Sequence, residues 1–295
     1  MNNLKISGTG TAVVTPFTPG GEVDYPALEK ILDYQTHNGI DFLVALGTTG
    51  ESVTLSEIEK ERVISVFKEN KNGLPLVVGM GGNNTQAVCE SIRNTDFNEI
   101  DAILSVVPYY NKPSQQGIYL HFSAIASVAP VPVILYNVPG RTGTNMTAST
   151  ALQLSRDFDS IIAVKEASGN MQQIMELLRH KSDTFAVLSG DDALTLPMIQ
   201  LGASGVISVV SNVFPLLFSE MVMNARGGNE EKALQIHYQL LEFIELLFKD
   251  GSPSGVKAAL ECMGLCHSFV RLPLAPVSEQ LKEKIALLVN KISLK

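Results

Sequence analysis

Residues 131–138 read VPVILYNV, a short and nearly continuous apolar run of the kind expected of a strand covered on both faces. Seven similar runs occur along the chain: TAVVTPF (11–17), DFLVALG (41–47), LPLVVGM (74–80), DAILSVV (101–107), IIAVKEA (161–167), FAVLSGD (185–191) and GVISVV (205–210). Helical patterns separate them, among them YPALEKILDYQTHNG (25–39), LSEIEKERVISVFKENKNG (55–73) and NMQQIMELLRHK (170–181), several ending at Gly or Asn as helix C-termini do. Strand and helix in alternation describe repeated βα units around a parallel sheet, and eight of them predict a (β/α)8, or TIM, barrel.

Past the eighth strand the chain continues through PLLFSEMVMNARGG (215–228), EEKALQIHYQLLEFIELLFKD (230–250) and two further helical segments. That is more than one closing helix requires. Residues 1–225 are therefore assigned to the barrel and 226–295 to a C-terminal helical region packed on it. A doubly wound open sheet would instead carry a GxGxxG fingerprint opening a helix. GTGTAV (8–13) leads into a strand and GMGGNN (79–84) follows one without the full spacing, so both are read as tight turns.

Composition narrows the function. With 22 Lys and Arg against 30 Asp and Glu, the net charge of −8 leaves no broad cationic face for nucleic acid. The opening MNNLKISGTG has neither a basic region followed by an apolar stretch nor a small-residue cleavage site, and no apolar run is long enough to span a bilayer, so a cytoplasmic protein is expected. Three cysteines, Cys89, Cys262 and Cys266, make no disulfide framework. Cys262 and Cys266 stand four apart on an expected helix, but no further ligands cluster near them and no metal site is predicted.

A barrel of this kind builds its active site from the C-terminal ends of its strands. Five ends are chemically unusual: GTTGES (47–52), PYYNKP (108–113), YNVPGRTG (136–143), VKEASG (164–169) and SGDD (189–192). Lys165 follows Ile161 to Val164 inside a strand, where the alternation of faces would place an apolar side chain. Burying an ammonium is costly, and desolvation favours the neutral amine that condenses with a ketone to give an imine. The alternative is an ion pair with the adjacent Glu166. Imine chemistry needs groups that move protons, and Tyr136, at the end of the neighbouring strand, is the first candidate, with Thr48, Thr49 and Tyr110 offering further hydroxyls. Tyr136 otherwise reads as a core aromatic. Arg141 has the planar fork that grips a carboxylate, although a solvated loop arginine would look the same. Asp191 and Asp192 are read as caps of a following helix, and their charge argues against a phosphorylated substrate.

Taken together these motifs resemble the pyruvate-dependent class I aldolases, the family that includes dihydrodipicolinate synthase and N-acetylneuraminate lyase, along essentially the whole chain. The resemblance implies that Lys165 forms the imine with pyruvate and that Thr48 and Thr49 bind its carboxylate. It also implies a proton relay of Tyr136, Thr48 and Tyr110, with Tyr110 lent to a neighbouring subunit in a homotetramer built as a dimer of dimers. An arginine after YNVP, here Arg141, implies the synthase branch, whose second substrate is L-aspartate 4-semialdehyde on the route to diaminopimelate and lysine. Sialic acid lyases and sugar-acid aldolases, whose aldehydes carry hydroxyls instead, are the nearest alternative. A barrel that binds a small acid without catalysis is a remoter one. Gly190 and Ile207 match positions lining the pyruvate pocket, and neither a metal nor an organic cofactor is implied. Two departures stand out. Glu57, Lys60 and Ala87 occupy positions where lysine-inhibited members carry effector ligands, although Ser52, Asn83 and Tyr109 match, so weak or absent lysine feedback is expected. Ser252 and Pro253 stand where Asn-Pro is frequent.

Overall fold

The computed structural model describes residue 4 and residues 6–294; residues 1–3 and 5, part of the opening MNNLKISGTG, and residue 295 lie outside the described residues. Eight strands, β1 (Gly8–Ala12), β2 (Phe42–Ala45), β3 (Leu76–Gly79), β4 (Ala102–Val106), β5 (Val133–Asn137), β6 (Ile161–Glu166), β7 (Ala186–Ser189) and β8 (Gly205–Ser208), follow one another around a closed barrel. Nearly every strand residue is buried, as the continuous apolar runs require.

Seven of the eight strands lie within the expected runs. The first does not: β1 starts at Gly8, three residues before TAVVTPF, and takes in the glycines that had been read as a turn. Gly10 explains the shift, because a Cβ there would sit 2.1 Å from Cε2 of the Phe42 ring, so the bare backbone makes room for an aromatic side chain on the next strand. The eighth run is also shorter than expected, since Val210–Asn212 turn into a 3-10 helix.

By its contacts the chain divides into two compact units, one made of the residues through Gly8 with Pro75–Ile207, the other of Thr9–Leu74 with the residues from Ser208 onward. The first holds α3 (Thr85–Asn94), α4 (Gln115–Val128), the single turn α5 (Pro139–Thr142), α6 (Ala148–Asp157), α7 (Met171–His180) and α8 (Thr195–Gln200). The second holds α1 (Tyr25–Thr36), α2 (Glu57–Asn70), α9 (Pro215–Arg226), α10 (Glu230–Phe248), α11 (Ser254–Cys262) and α12 (Glu279–Ser293). Local sequence starts these helices where side chains satisfy their free N–H groups. Ser56 and Glu59 form a reciprocal capping box at α2. Asn84 caps α3 and Asn170 caps α7. Asp191 accepts from the Ala193 N–H and caps the short turn ahead of α8, as its sequence position suggested.

One helix ends sooner than expected. α11 stops at Cys262, Met263 caps it and Gly264 turns with φ +68°, so Cys266 is not on the same helix as Cys262. Burial pushes the Cys266 thiol up to about 12, which makes it a poor nucleophile and a poor metal ligand. No helix among the described residues is long and apolar enough to cross a membrane.

Candidate active site

Parallel pairing of β5 with β6 sets Tyr136 directly opposite Lys165. Both side chains are 6% exposed, and Lys165 Nζ lies 4.4 Å from the centroid of the Tyr136 ring. The amine is thus covered by an aromatic face and held on a rigid strand end. Glu166 does not pair with it. Successive strand residues face opposite ways, and the Glu166 carboxylate accepts from Ser168 N at 2.7 Å, Asn137 Nδ2 at 3.0 Å and Gln173 Nε2 at 3.1 Å. The ion pair of Lys165 with Glu166 is therefore removed, and among the described residues the buried amine has no carboxylate partner.

Gly190, at the end of β7, leaves space for that lysine. A Cβ built on it would come within 2.7 Å of Ala167 Cβ and 3.0 Å of Lys165 Cε, while its N–H donates to the Glu166 carbonyl at 2.8 Å. Ile207 is a buried residue of β8 at 1% exposure.

The loop that carries Arg141 is clamped from below. Asn137, the last residue of β5, accepts the Met146 N–H at 2.9 Å and donates to Asn145 Oδ1 at 2.8 Å, and Asn145 in turn donates to Gln173. Arg141 is not on an open turn but in the one-turn helix α5, which closes at Gly143 in the left-handed region. Its guanidinium is exposed and forms no ion pair among the described residues. Sequence reading passed over Asn137, Asn145 and Gln173. The available signal was a wholly buried asparagine inside a strand, which must find hydrogen-bond partners.

Tyr110 lies beyond β4 with φ +70° and 88% exposure, and its backbone N–H reaches the Thr142 carbonyl at 3.4 Å. A non-glycine residue in the left-handed region is held there by its surroundings. Nearby, Asn83 donates to the Tyr109 carbonyl and Asn111 to the Asn83 carbonyl, tying this loop to the start of α3.

In the second unit Thr48 and Thr49 begin a 3-10 turn, Thr48–Gly50, just past β2. The Thr15 hydroxyl donates to the Gly50 carbonyl at 2.7 Å, and the turn ends at Glu51 in the left-handed conformation, φ 51° and ψ 33°. Glu51 is buried and paired with Lys257 at 2.5 Å. Burial lowers the Lys257 pKa and the Glu51 charge opposes that shift. The sequence named neither residue as part of a site, because nothing in their local patterns links positions so far apart in the chain.

A closed eight-stranded parallel barrel with a buried lysine and a tyrosine side by side at adjacent strand ends fits the class I aldolases, in which an amine holds a ketone as an imine. The sequence model of the Dihydrodipicolinate synthetase family matches residues 5–292. The chain belongs to this family. It is 53% identical over 286 residues to the 4-hydroxy-tetrahydrodipicolinate synthase of Azobacteroides pseudotrichonymphae, covering 97% of each chain. With the Parabacteroides distasonis enzyme of the same name it shares 50% identity over the whole of both chains. Among solved structures, dihydrodipicolinate synthase from Aquifex aeolicus superposes with a TM-score of 0.94 at 39% identity, covering 98% of this chain and 99% of that one.

Proposed function

We propose that the chain is a 4-hydroxy-tetrahydrodipicolinate synthase, a lyase of diaminopimelate and lysine biosynthesis that condenses pyruvate with L-aspartate 4-semialdehyde. The observation that carries the reading is the buried Lys165 amine beneath the Tyr136 ring, with no carboxylate among the described residues to hold it as a structural cation. The amine adds to the pyruvate carbonyl, water leaves, and an imine forms. Loss of a proton from the methyl group gives the enamine, whose carbon attacks the aldehyde. The amino group of the second substrate then displaces Lys165 as the ring closes. No metal or organic cofactor takes part.

The residue roles follow the same logic. Tyr136, Thr48 and Tyr110 relay the protons that the dehydration and enamine steps move. Thr48 and Thr49 bind the pyruvate carboxylate, Arg141 grips the carboxylate of the semialdehyde, and Gly190 and Ile207 line the pyruvate pocket. Exposure of Tyr110 supports its service to a neighbouring subunit in a cytoplasmic homotetramer. Lysine feedback is weak or absent, since Lys60 is engaged with Glu57 at 2.7 Å and Ala87 offers no side-chain ligand. Inhibition by submillimolar lysine contradicts that point.

The test follows pyruvate consumption with L-aspartate 4-semialdehyde. Turnover lost in Lys165→Ala and severely weakened in Arg141→Ala is the expected result. Absence of turnover by the unmodified protein, with pyruvate still trapped on Lys165, would move the acceptor to a sugar aldehyde.

A further inference from the structure

Glu51 closes the turn that holds Thr48 and Thr49, and it does so with a backbone conformation that side-chain-bearing residues rarely adopt. Its carboxylate is 2% exposed and both oxygens are engaged: Oε1 accepts from Lys257 Nζ at 2.5 Å and Oε2 from the Arg271 backbone N–H at 3.1 Å. Lys257, on α11, is wholly buried, donates also to the Phe269 carbonyl at 2.9 Å and lies 4.0 Å from the centroid of the Phe17 ring. Arg271 covers that ring too, 4.5 Å from the centroid, and its side chain reaches Thr54 O and Gly21 O at 2.9 Å. The Glu51 carbonyl in turn receives the Thr54 N–H at 2.9 Å and hydroxyl at 3.0 Å. The end of the threonine turn is thereby tied to α11 and the segment after it through Lys257 and Arg271.

We infer that the Lys257–Glu51 pair is a positioning device that holds the Thr48–Gly50 turn in the geometry needed to bind the pyruvate carboxylate, which gives the C-terminal helical segment a part in catalysis. The inference rests on the proposed reaction. Neither residue touches substrate; they act through the backbone of the turn. A shift of the turn alters the two threonines together and leaves the Lys165 amine, on β6 of the other unit, as reactive as before.

The distinguishing readout is the pyruvate concentration that half-saturates borohydride trapping on Lys165, which needs no aldehyde. In folded Lys257→Met this concentration rises at least about tenfold, the scale on which misplacing a binding group acts. At saturating pyruvate the trapped fraction is restored. The KM for L-aspartate 4-semialdehyde stays within about twofold, as expected when only one substrate's binding is disturbed. Glu51→Gln, which keeps the shape and an acceptor, gives a smaller shift in the same direction and carries the test if Lys257→Met does not fold. Lys282→Ala breaks a surface pair with Glu261 on the same helix as Lys257 and leaves the pyruvate dependence unchanged. An unchanged half-saturation in Lys257→Met or Glu51→Gln overturns the inference, as does a parallel loss in kcat and in both KM values. No trapping by the unmodified protein removes the proposed reaction itself, a different result from either.

Discussion

Two buried lysines, Lys165 at the end of β6 and Lys257 in α11, sit in opposite chemical surroundings. Lys257 has a carboxylate at 2.5 Å, a carbonyl at 2.9 Å and an aromatic face at 4.0 Å, which together satisfy an ammonium. Lys165 has an aromatic face at 4.4 Å, while the one carboxylate next to it in sequence is turned away and bound by amides. A lysine that is fully paired serves as a fixed cation in the structure. One that sits at a strand end under an aromatic ring, with no carboxylate partner among the described residues, is placed to meet a carbonyl substrate.

Replacing each lysine by methionine should separate the two roles most sharply. Lys165→Met removes catalysis and pyruvate trapping completely, yet its melting temperature should match or exceed that of the unmodified protein, because no carboxylate partner among the described residues is abandoned. A large loss of stability in that variant would show that Lys165 is structural after all. Lys257→Met leaves the buried Glu51 carboxylate without its cation and, among the described residues, with only the Arg271 N–H as partner, a loss of about 3–5 kcal/mol that denaturant unfolding would read. Stability equal to the unmodified protein would mean that the pair contributes nothing net.

Gly190→Ala should disturb Lys165 alone. The added methyl meets Ala167 Cβ and the lysine stem, overpacking worth about 1–3 kcal/mol, so imine formation slows while Lys257 and its surroundings are untouched. An alanine variant with unaltered trapping kinetics would place the lysine stem elsewhere.

The smallest effect concerns the edge of the Lys257 cluster. Arg271 donates a hydrogen bond to Glu59 and thereby holds its carboxyl at about 2 instead of 4.5. A depressed carboxyl stabilises fully above its unfolded pKa and loses that contribution as the pH falls through the folded one. The difference in melting temperature between the unmodified protein and Glu59→Gln should therefore be complete above pH 4.5 and vanish toward pH 2. A difference constant over that window would break the assignment.

The Lys165 half of this contrast is legible in the amino-acid sequence; the Lys257 half is not. Parallel strands buried on both faces leave an apolar signature that alternation with helices makes countable, and a lysine at the end of such a strand is conspicuous for that reason. The first strand escaped because its glycines resemble a turn until the Phe42 ring shows why a side chain is forbidden at Gly10. Glu51 and Lys257 lie 206 residues apart, and no local periodicity couples them. Asn137 stands within the YNVPGRTG motif, but its grip on Met146 N and Asn145 depends on how the loop returns, which only the fold supplies.

The most direct measurement is peptide mapping of the protein after pyruvate and borohydride treatment. A single carboxyethyl adduct on Lys165, with Lys257 unmodified, is the predicted result. Absence of an adduct, or one carried by any lysine other than Lys165, would contradict the imine chemistry assigned to this site.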